Sequence, residues 1–233
     1  MKIIEYLINN YFAATILVVI ATAFAMIMSA NVSGTFNKYN RIKSRRGCPA
    51  HKIARQILDS NGLYNIEVTR VGGNLTDHYD PKNHIIALSD SVYDSVSIAA
   101  IGVTAHECGH AVQHSMGYVP IRIRNAIFPV VNIASRSWFW LFLLGMLFSF
   151  PFLTEVGIVF FALAVVFQII TLPVEFDASR RAMGTISAQN LLDDSEMKGA
   201  RKTLSAAAMT YVAGLMVSIA QLIRLLASSN RRR

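Results

Sequence analysis

The sequence predicts a mainly α-helical membrane protein with about four transmembrane helices and one small α+β segment that contains a short antiparallel sheet. The first observation is composition: 53% of the 233 residues are hydrophobic and 15% are charged, whereas soluble domains carry about 25% charged residues. The second is that the charges leave long apolar runs untouched, and the third is one long stretch of mixed composition, 38–125. These observations argue against an ordinary soluble enzyme and exclude a disordered chain, and two cysteines exclude a disulfide-stapled secreted domain.

The first apolar run, 6–37, contains no charged residue. About 20 apolar residues cross the hydrocarbon core of a bilayer, so this run predicts a transmembrane helix. The alternative, a cleaved signal peptide, has a shorter apolar region. Only basic charges follow, from Lys38 to Arg55, before the first acidic residue, Asp59. The positive-inside rule therefore places that side of the membrane in the cytoplasm.

Two further uncharged runs, 137–154 and 156–174, are separated by a single charged residue. A connection this short requires antiparallel helices, and arginines flank both open ends, so the pair predicts a hairpin whose ends lie in the cytoplasm. The fourth run, 203–223, is rich in small residues and is followed by a basic tail. If this run spans, the tail lies outside, against the positive-inside rule, but spanning is favoured over an interfacial position.

The mixed segment predicts short elements. Pro49 and Gly62 bracket an amphipathic helix, and β-prone pieces separated by turn residues then predict an antiparallel meander. A longer helix follows, with Ser97 as N-cap and Gly117 as terminator. The predicted organisation in chain order is an N-terminal transmembrane helix at 1–37, a cytoplasmic segment at 38–125, a transmembrane hairpin at 126–174, a helix with a further carboxylate at 175–202, and a C-terminal apolar helix with the basic tail at 203–233.

The longer helix carries an H-E-x-x-H pattern, from His106 to His110. Residues four apart lie on one helix face, so both imidazoles can reach one metal ion. Glu107 is placed beside them to accept a proton from a water molecule that the ion activates. Cys108 points away from that face and is interpreted as a small packing residue.

Catalytic zinc usually takes three protein ligands. The metzincin spacing requires a histidine where Met116 stands and a glycine where Gln113 stands, so that class is excluded. His114 is about 12 Å along the helix from the first histidine, too far to share its ion. Glu175 is the better candidate, because a carboxylate directly after an apolar run is costly unless it is employed. Asp177 is the alternative ligand, or a partner that orients one histidine.

Together these motifs resemble the YugP-type family of membrane-embedded neutral zinc metallopeptidases, related in layout to HtpX-like and CAAX-processing gluzincins. The resemblance covers nearly the full length, through the N-terminal anchor, HYDPKNHIIALS, AAIGVTAHECGHAVQH, the apolar hairpin and LPVEFDASRRA. It implies a zincin-like segment around one Zn²⁺, with His106, His110 and Glu175 as ligands and Glu107 as general base. HtpX-like enzymes have an aspartate where this chain has Ser179, so the support of the histidines must be built differently. Site-2-type proteases differ, because their later Leu-Asp-Gly motif is absent here.

The implied function is zinc-dependent hydrolysis of peptide bonds in membrane or membrane-proximal polypeptides. The alternative is a non-catalytic membrane adaptor or assembly factor with a structural metal site. The strand at 84–89 either offers an edge to an extended substrate or faces a core. The net charge of +8 does not indicate a nucleic-acid partner, because the basic residues cluster at segment edges without interleaved aromatics. The partners expected are a polypeptide substrate and the lipid bilayer.

Overall fold

A computed structural model describes residues 2–230, which form seven helices and one three-stranded sheet. In chain order the elements are α1 (Lys2–Asn9), α2 (Tyr11–Asn40), α3 (Ala50–Ser60), β1 (Glu67–Val71), β2 (His78–Asp80), β3 (Ile85–Ser89), α4 (Ile98–Ser115), α5 (Val119–Leu147), α6 (Pro151–Ala188) and α7 (Asp194–Asn230). The basic tail at 231–233 lies outside the described residues.

Four of these helices, α2, α5, α6 and α7, are long and apolar enough to cross a membrane. Only 11% of the most apolar window is buried inside the protein in α2 and in α5, and 22% in α6 and in α7. Large apolar side chains such as Val19, Ile20, Phe128 and Ile133 are exposed. Lipid is the environment that suits such surfaces. The predicted mainly helical class with about four membrane helices is confirmed, and the fourth apolar run belongs to one of the candidate spans.

The described chain divides into two compact units. The apolar unit comprises 2–29, 122–172 and 210–230, and the sheet unit comprises 30–121 and 173–209. Helix α6 continues through Pro173 without a break, and α7 joins 194–202 to the fourth apolar run in one helix. The segment ends predicted at 174 and 202 are therefore not helix ends.

Within the apolar unit, α5 and α6 form the hairpin that the sequence predicts, joined by 148–150. Two glycines lie where the arms meet. A Cβ atom added to Gly157 would stand 2.7 Å from the backbone nitrogen of Phe142, and one added to Gly145 would collide with the backbone of Thr154. Small residues allow membrane helices to approach closely without a hydrophobic driving force, so the two glycines set the spacing of the hairpin.

Helices α3 and α4 of the sheet unit begin and end as predicted. Helix α3 follows Pro49, and Gly62, just past its end, has a φ of 72°. The Ser97 hydroxyl caps α4 by accepting a hydrogen bond from the backbone nitrogen of Ala100 at 3.1 Å. Gly117 follows α4 with a φ of 63°, a backbone conformation that glycine adopts without steric cost.

The sheet differs from the predicted antiparallel meander. Its strand order is β1-β3-β2, and β1 pairs with β3 in parallel while β2 pairs with β3 antiparallel. The reason is the connection 72–77, which is tied to the end of β3 rather than folding β2 back onto β1. The Asp90 carboxylate accepts a hydrogen bond from Gly73 N at 3.1 Å, and the Asp77 carboxylate accepts from Ser89 N at 2.8 Å. These side-chain contacts place β2 on the far side of β3 from β1, so β3 is the central strand of the sheet.

The central position of β3 decides between the two interpretations of that strand. Both of its sides are paired, so the expectation that it offers an edge to a substrate is wrong. Ile86 and Leu88 are fully buried in the core instead. The strand β2 lies at an edge, and the ring of its Tyr79 meets the ring of His114 on α4 at 6.1 Å. The edge strand that contacts α4 is therefore β2.

The core of the sheet unit lies between the sheet and helices α3, α4, α6 and α7. Its large buried side chains include Ile53, Ile57, Leu58, Ile86, Leu88, Ile101, Ile186 and Leu191. Cys108 belongs to the same cluster and is fully buried, and burial raises the pKa of its thiol. The interpretation of Cys108 as a packing residue is confirmed.

Candidate metal centre

Helix α4 places its two motif histidines side by side. His106 and His110 are one turn apart, and their ring centroids lie 4.7 Å apart with the rings nearly perpendicular. Each ring directs its Nε2 atom at the same carboxylate oxygen, Oε2 of Glu175 on α6, at 3.3 Å for His106 and 3.6 Å for His110. The structure therefore brings together the two imidazoles and the distant carboxylate that the sequence singles out.

The carboxylate at this point is buried and lacks an ordinary partner. Glu175 is 4% exposed, and its Oε2 atom accepts no hydrogen bond from any of residues 2–230. A buried carboxylate oxygen without hydrogen bonds is costly, unless a cation is held beside it. The orphaned oxygen therefore marks the place for a positive charge.

The three side chains fit a zinc ion. Their candidate ligand atoms all lie within 4.8 Å of one another. Tetrahedral zinc with bonds of about 2.1 Å places its ligand atoms about 3.4 Å apart. The two histidine Nε2 atoms lie at similar distances, 3.3 Å and 3.6 Å, from Oε2 of Glu175. Two imidazoles and one carboxylate are also a donor set of catalytic zinc sites, which leave one position open.

Glu107 adds negative charge beside this group. It is 8% exposed and directly follows His106 on α4. Burial lowers the pKa of His110, but the contact with Glu175 and the charges of Glu107 and Glu175 outweigh burial and raise that pKa above its ordinary value. The site is therefore built to attract a cation.

The glycine inside the motif permits the close crossing of α4 and α6. A Cβ atom added to Gly109 would stand 2.7 Å from the carbonyl oxygen of Ala178, a distance that real Cβ atoms do not adopt. Ala178 follows Glu175 by three residues, so this contact sits one turn from the carboxylate. Gly109 thus sets how near the carboxylate comes to the imidazoles.

Replacing Gly109 by Ala is expected to lower zinc affinity and to destabilise the protein by about 1–3 kcal/mol, the usual cost of overpacking. The added methyl group must push α6 away from α4, and Glu175 moves with it. The matched control is Gly184→Ala on α6, where a Cβ atom meets nothing within 4 Å in the described chain; alanine there is expected to be neutral or stabilising. Thermal unfolding and zinc titration measure both variants, and equal behaviour of the two would contradict this role of Gly109.

The other ring nitrogen of each histidine is also engaged. His106 Nδ1 is hydrogen-bonded to the Ser179 hydroxyl at 3.1 Å, so the serine that replaces the aspartate of HtpX-like enzymes itself supports a histidine. His110 Nδ1 is hydrogen-bonded to Oε1 of Gln113 at 3.0 Å. The amide nitrogen of Gln113 in turn donates to Asp177 at 3.0 Å. Both histidines are therefore oriented through their Nδ1 atoms by neutral side chains, a serine and a glutamine.

The other ligand candidates, Asp177 and His114, do not belong to the group of three ligands. Within residues 2–230, Asp177 is not a member of that group; it accepts from Arg181 Nε at 2.6 Å and reaches His110 only through Gln113. His114 faces Tyr79. In the sequence, Gln113 stands at the position of the metzincin glycine, which by itself does not predict a role at the site. Its position three residues after His110, on the same helix face, is the signal that indicates its contact.

Comparisons with known proteins indicate the family of this chain. A family model described as "Putative neutral zinc metallopeptidase" matches residues 14–230. A relative from Bacillus subtilis (strain 168), named "Putative membrane protease YugP", is 48% identical over 193 residues, which cover 83% of this chain and 86% of the relative. No solved structure matches the chain. Because the family model and this relative both span most of its length, the chain belongs to the family described as "Putative neutral zinc metallopeptidase".

Proposed function

We propose that this protein is a membrane-embedded, zinc-dependent endopeptidase of the gluzincin type that hydrolyses peptide bonds of membrane or membrane-proximal proteins. The observation that carries the proposal is the orphaned Oε2 atom of Glu175, which faces the Nε2 atoms of both motif histidines next to Glu107. Family membership supports the metal and the reaction class. The four apolar helices support a multi-pass position in the membrane.

The roles of the residues follow from their positions. His106, His110 and Glu175 would hold one zinc ion, which when bound supplies Lewis-acid activation of a water molecule and of the scissile carbonyl group. Glu107 accepts the proton of the attacking water and passes it to the nitrogen of the leaving amine. The edge strand β2 agrees with a polypeptide substrate, since an extended chain can add to such an edge through backbone hydrogen bonds.

The proposed location of the active site is the cytoplasmic face. The argument rests on the basic residues that follow the first apolar run and flank the hairpin, such as Arg41, Arg46, Arg122 and Arg124. Positive charge of this kind accumulates on the cytoplasmic side of membrane helices. The catalytic motif lies between these two groups of arginines in the sequence.

The experiment uses the full chain in sealed vesicles of both orientations and fluorescein-labelled casein as an impermeant probe. Inverted vesicles are expected to cleave the probe, to lose this activity when EDTA removes zinc, and to regain it when zinc is returned. Right-side-out vesicles are expected to leave the probe intact until detergent opens them. Cleavage that survives EDTA would overturn the zinc mechanism, and cleavage by right-side-out vesicles alone would overturn the cytoplasmic location.

A further inference from the structure

The side chain of Gln113 is fully buried between the two helices that carry the proposed metal ligands. Its amide is satisfied on every side: Oε1 faces His110 Nδ1 at 3.0 Å, and Nε2 donates to the carbonyl oxygen of Val174 at 2.8 Å and to the Asp177 carboxylate at 3.0 Å. A buried amide that makes three hydrogen bonds to two helices fixes the relative position of its partners and does more than fill volume in the core.

The partners determine which way this amide points. A backbone carbonyl and a carboxylate can only accept hydrogen bonds, so the NH₂ group of Gln113 must face Val174 and Asp177. The carboxylate of Asp177 is itself fixed by Arg181 at 2.6 Å. The carbonyl oxygen of Gln113 is therefore left facing the ring of His110.

This orientation determines the tautomer of His110. An oxygen acceptor at 3.0 Å from Nδ1 requires that Nδ1 carry the hydrogen, since otherwise two acceptors would face each other. The lone pair that remains for a metal is then on Nε2, the atom that faces Glu175. The hydrogen bond made by one ring nitrogen thus selects the other as ligand.

The same amide also holds the backbone next to the carboxylate ligand. Val174 directly precedes Glu175, and Asp177 follows it by two residues. Hydrogen bonds from Gln113 to both fix the turn of α6 that bears Glu175 against α4. One neutral side chain therefore contacts a motif histidine and both flanks of the distant ligand.

We propose that Gln113 is a positioning residue of the metal centre. It holds His110 in the tautomer that binds a metal through Nε2, and it fixes the turn of α6 that places Glu175 beside His110. This inference rests on the proposed function, because it assigns the ion to the group formed by His106, His110 and Glu175. In many metal sites a carboxylate orients the metal-binding histidine directly. Here the carboxylate of Asp177 contacts His110 only through the amide of Gln113.

The test compares the full chain, the variant Gln113→Leu and the control Gln56→Leu, all in detergent. Gln56 also bonds through its amide, to Gln189 in the sheet unit, but away from the metal ligands. Zinc affinity is measured by competition with a chromophoric chelator. Gln113→Leu is expected to lose about 10- to 100-fold in affinity, the usual effect of removing a partner behind a ligand, while Gln56→Leu retains the affinity of the wild type.

A second measurement does not depend on whether Gln113→Leu folds, because it uses a protein that retains Gln113. In the zinc-loaded protein labelled with ¹⁵N-histidine and carrying Glu107→Gln, the His110 ring is expected to show a protonated, slowly exchanging Nδ1. A His110 ring bound to zinc through Nδ1, or equal zinc affinity of Gln113→Leu and the wild type, would overturn the inference. If the wild type binds zinc but cleaves nothing, the proposed function fails alone. If it cleaves and Gln113→Leu binds zinc as tightly, the positioning role fails alone.

Discussion

Replacement of Glu107 by Gln is expected to lower proteolysis by about 10²- to 10⁴-fold, the contribution of a positioned general base, while zinc remains bound. Glutamine has nearly the same shape but cannot accept the proton of the attacking water. The three proposed ligands are untouched by this change, because Glu107 is not a member of the grouped side chains within the described chain. A loss of activity with full zinc occupancy is the signature of a base rather than of a ligand.

The measurement pairs zinc content of the purified variant with new N-termini in membranes of cells that express either form. Glu67→Gln is the matched control, because Glu67 is exposed on β1 in the same unit. Peptide termini that appear with the wild type and with Glu67→Gln, but not with Glu107→Gln, are the expected result. Identical sets of termini in all three would contradict the enzyme proposal and favour the non-catalytic adaptor with a structural metal.

Removal of the Glu175 carboxylate by Glu175→Ala is expected to lower zinc affinity by more than about 100-fold. Loss of a partner behind a ligand costs about 10- to 100-fold, so loss of a direct ligand costs more. The carboxylate also provides the negative charge that both Nε2 atoms face. Without it, two neutral imidazoles would remain for a divalent ion, and proteolysis is expected to disappear together with the metal.

Metal analysis of purified wild type beside Glu175→Ala and Asp177→Ala separates the two acidic candidates. One zinc ion per chain is expected for the wild type. Asp177→Ala is expected to lose less affinity than Glu175→Ala, because Asp177 reaches His110 only through Gln113. Retention of zinc by Glu175→Ala with loss in Asp177→Ala would make Asp177 the ligand and would refute the assignment of Glu175.

Much of the architecture is predictable from the sequence because it depends on neighbours in the chain. The apolar runs predict the membrane helices through their length and their lack of charged residues. Ser97 and Gly117 predict the ends of α4, since a cap and a left-handed terminator act within one helical turn. The spacing of His106 and His110 predicts that they share a face, because helical periodicity places residues four apart together.

The centre itself depends on contacts between distant parts of the chain, which only the tertiary structure decides. The order of the sheet followed from bonds of Asp77 and Asp90 to the end of β3, which sequence periodicity does not encode. Glu175 is a candidate by sequence, but its approach to the histidines requires the close crossing at Gly109. The amide of Gln113 acquires its role only where α6 packs on α4. Local patterns thus determine the helices and the motif, whereas packing determines which side chains orient the ligands.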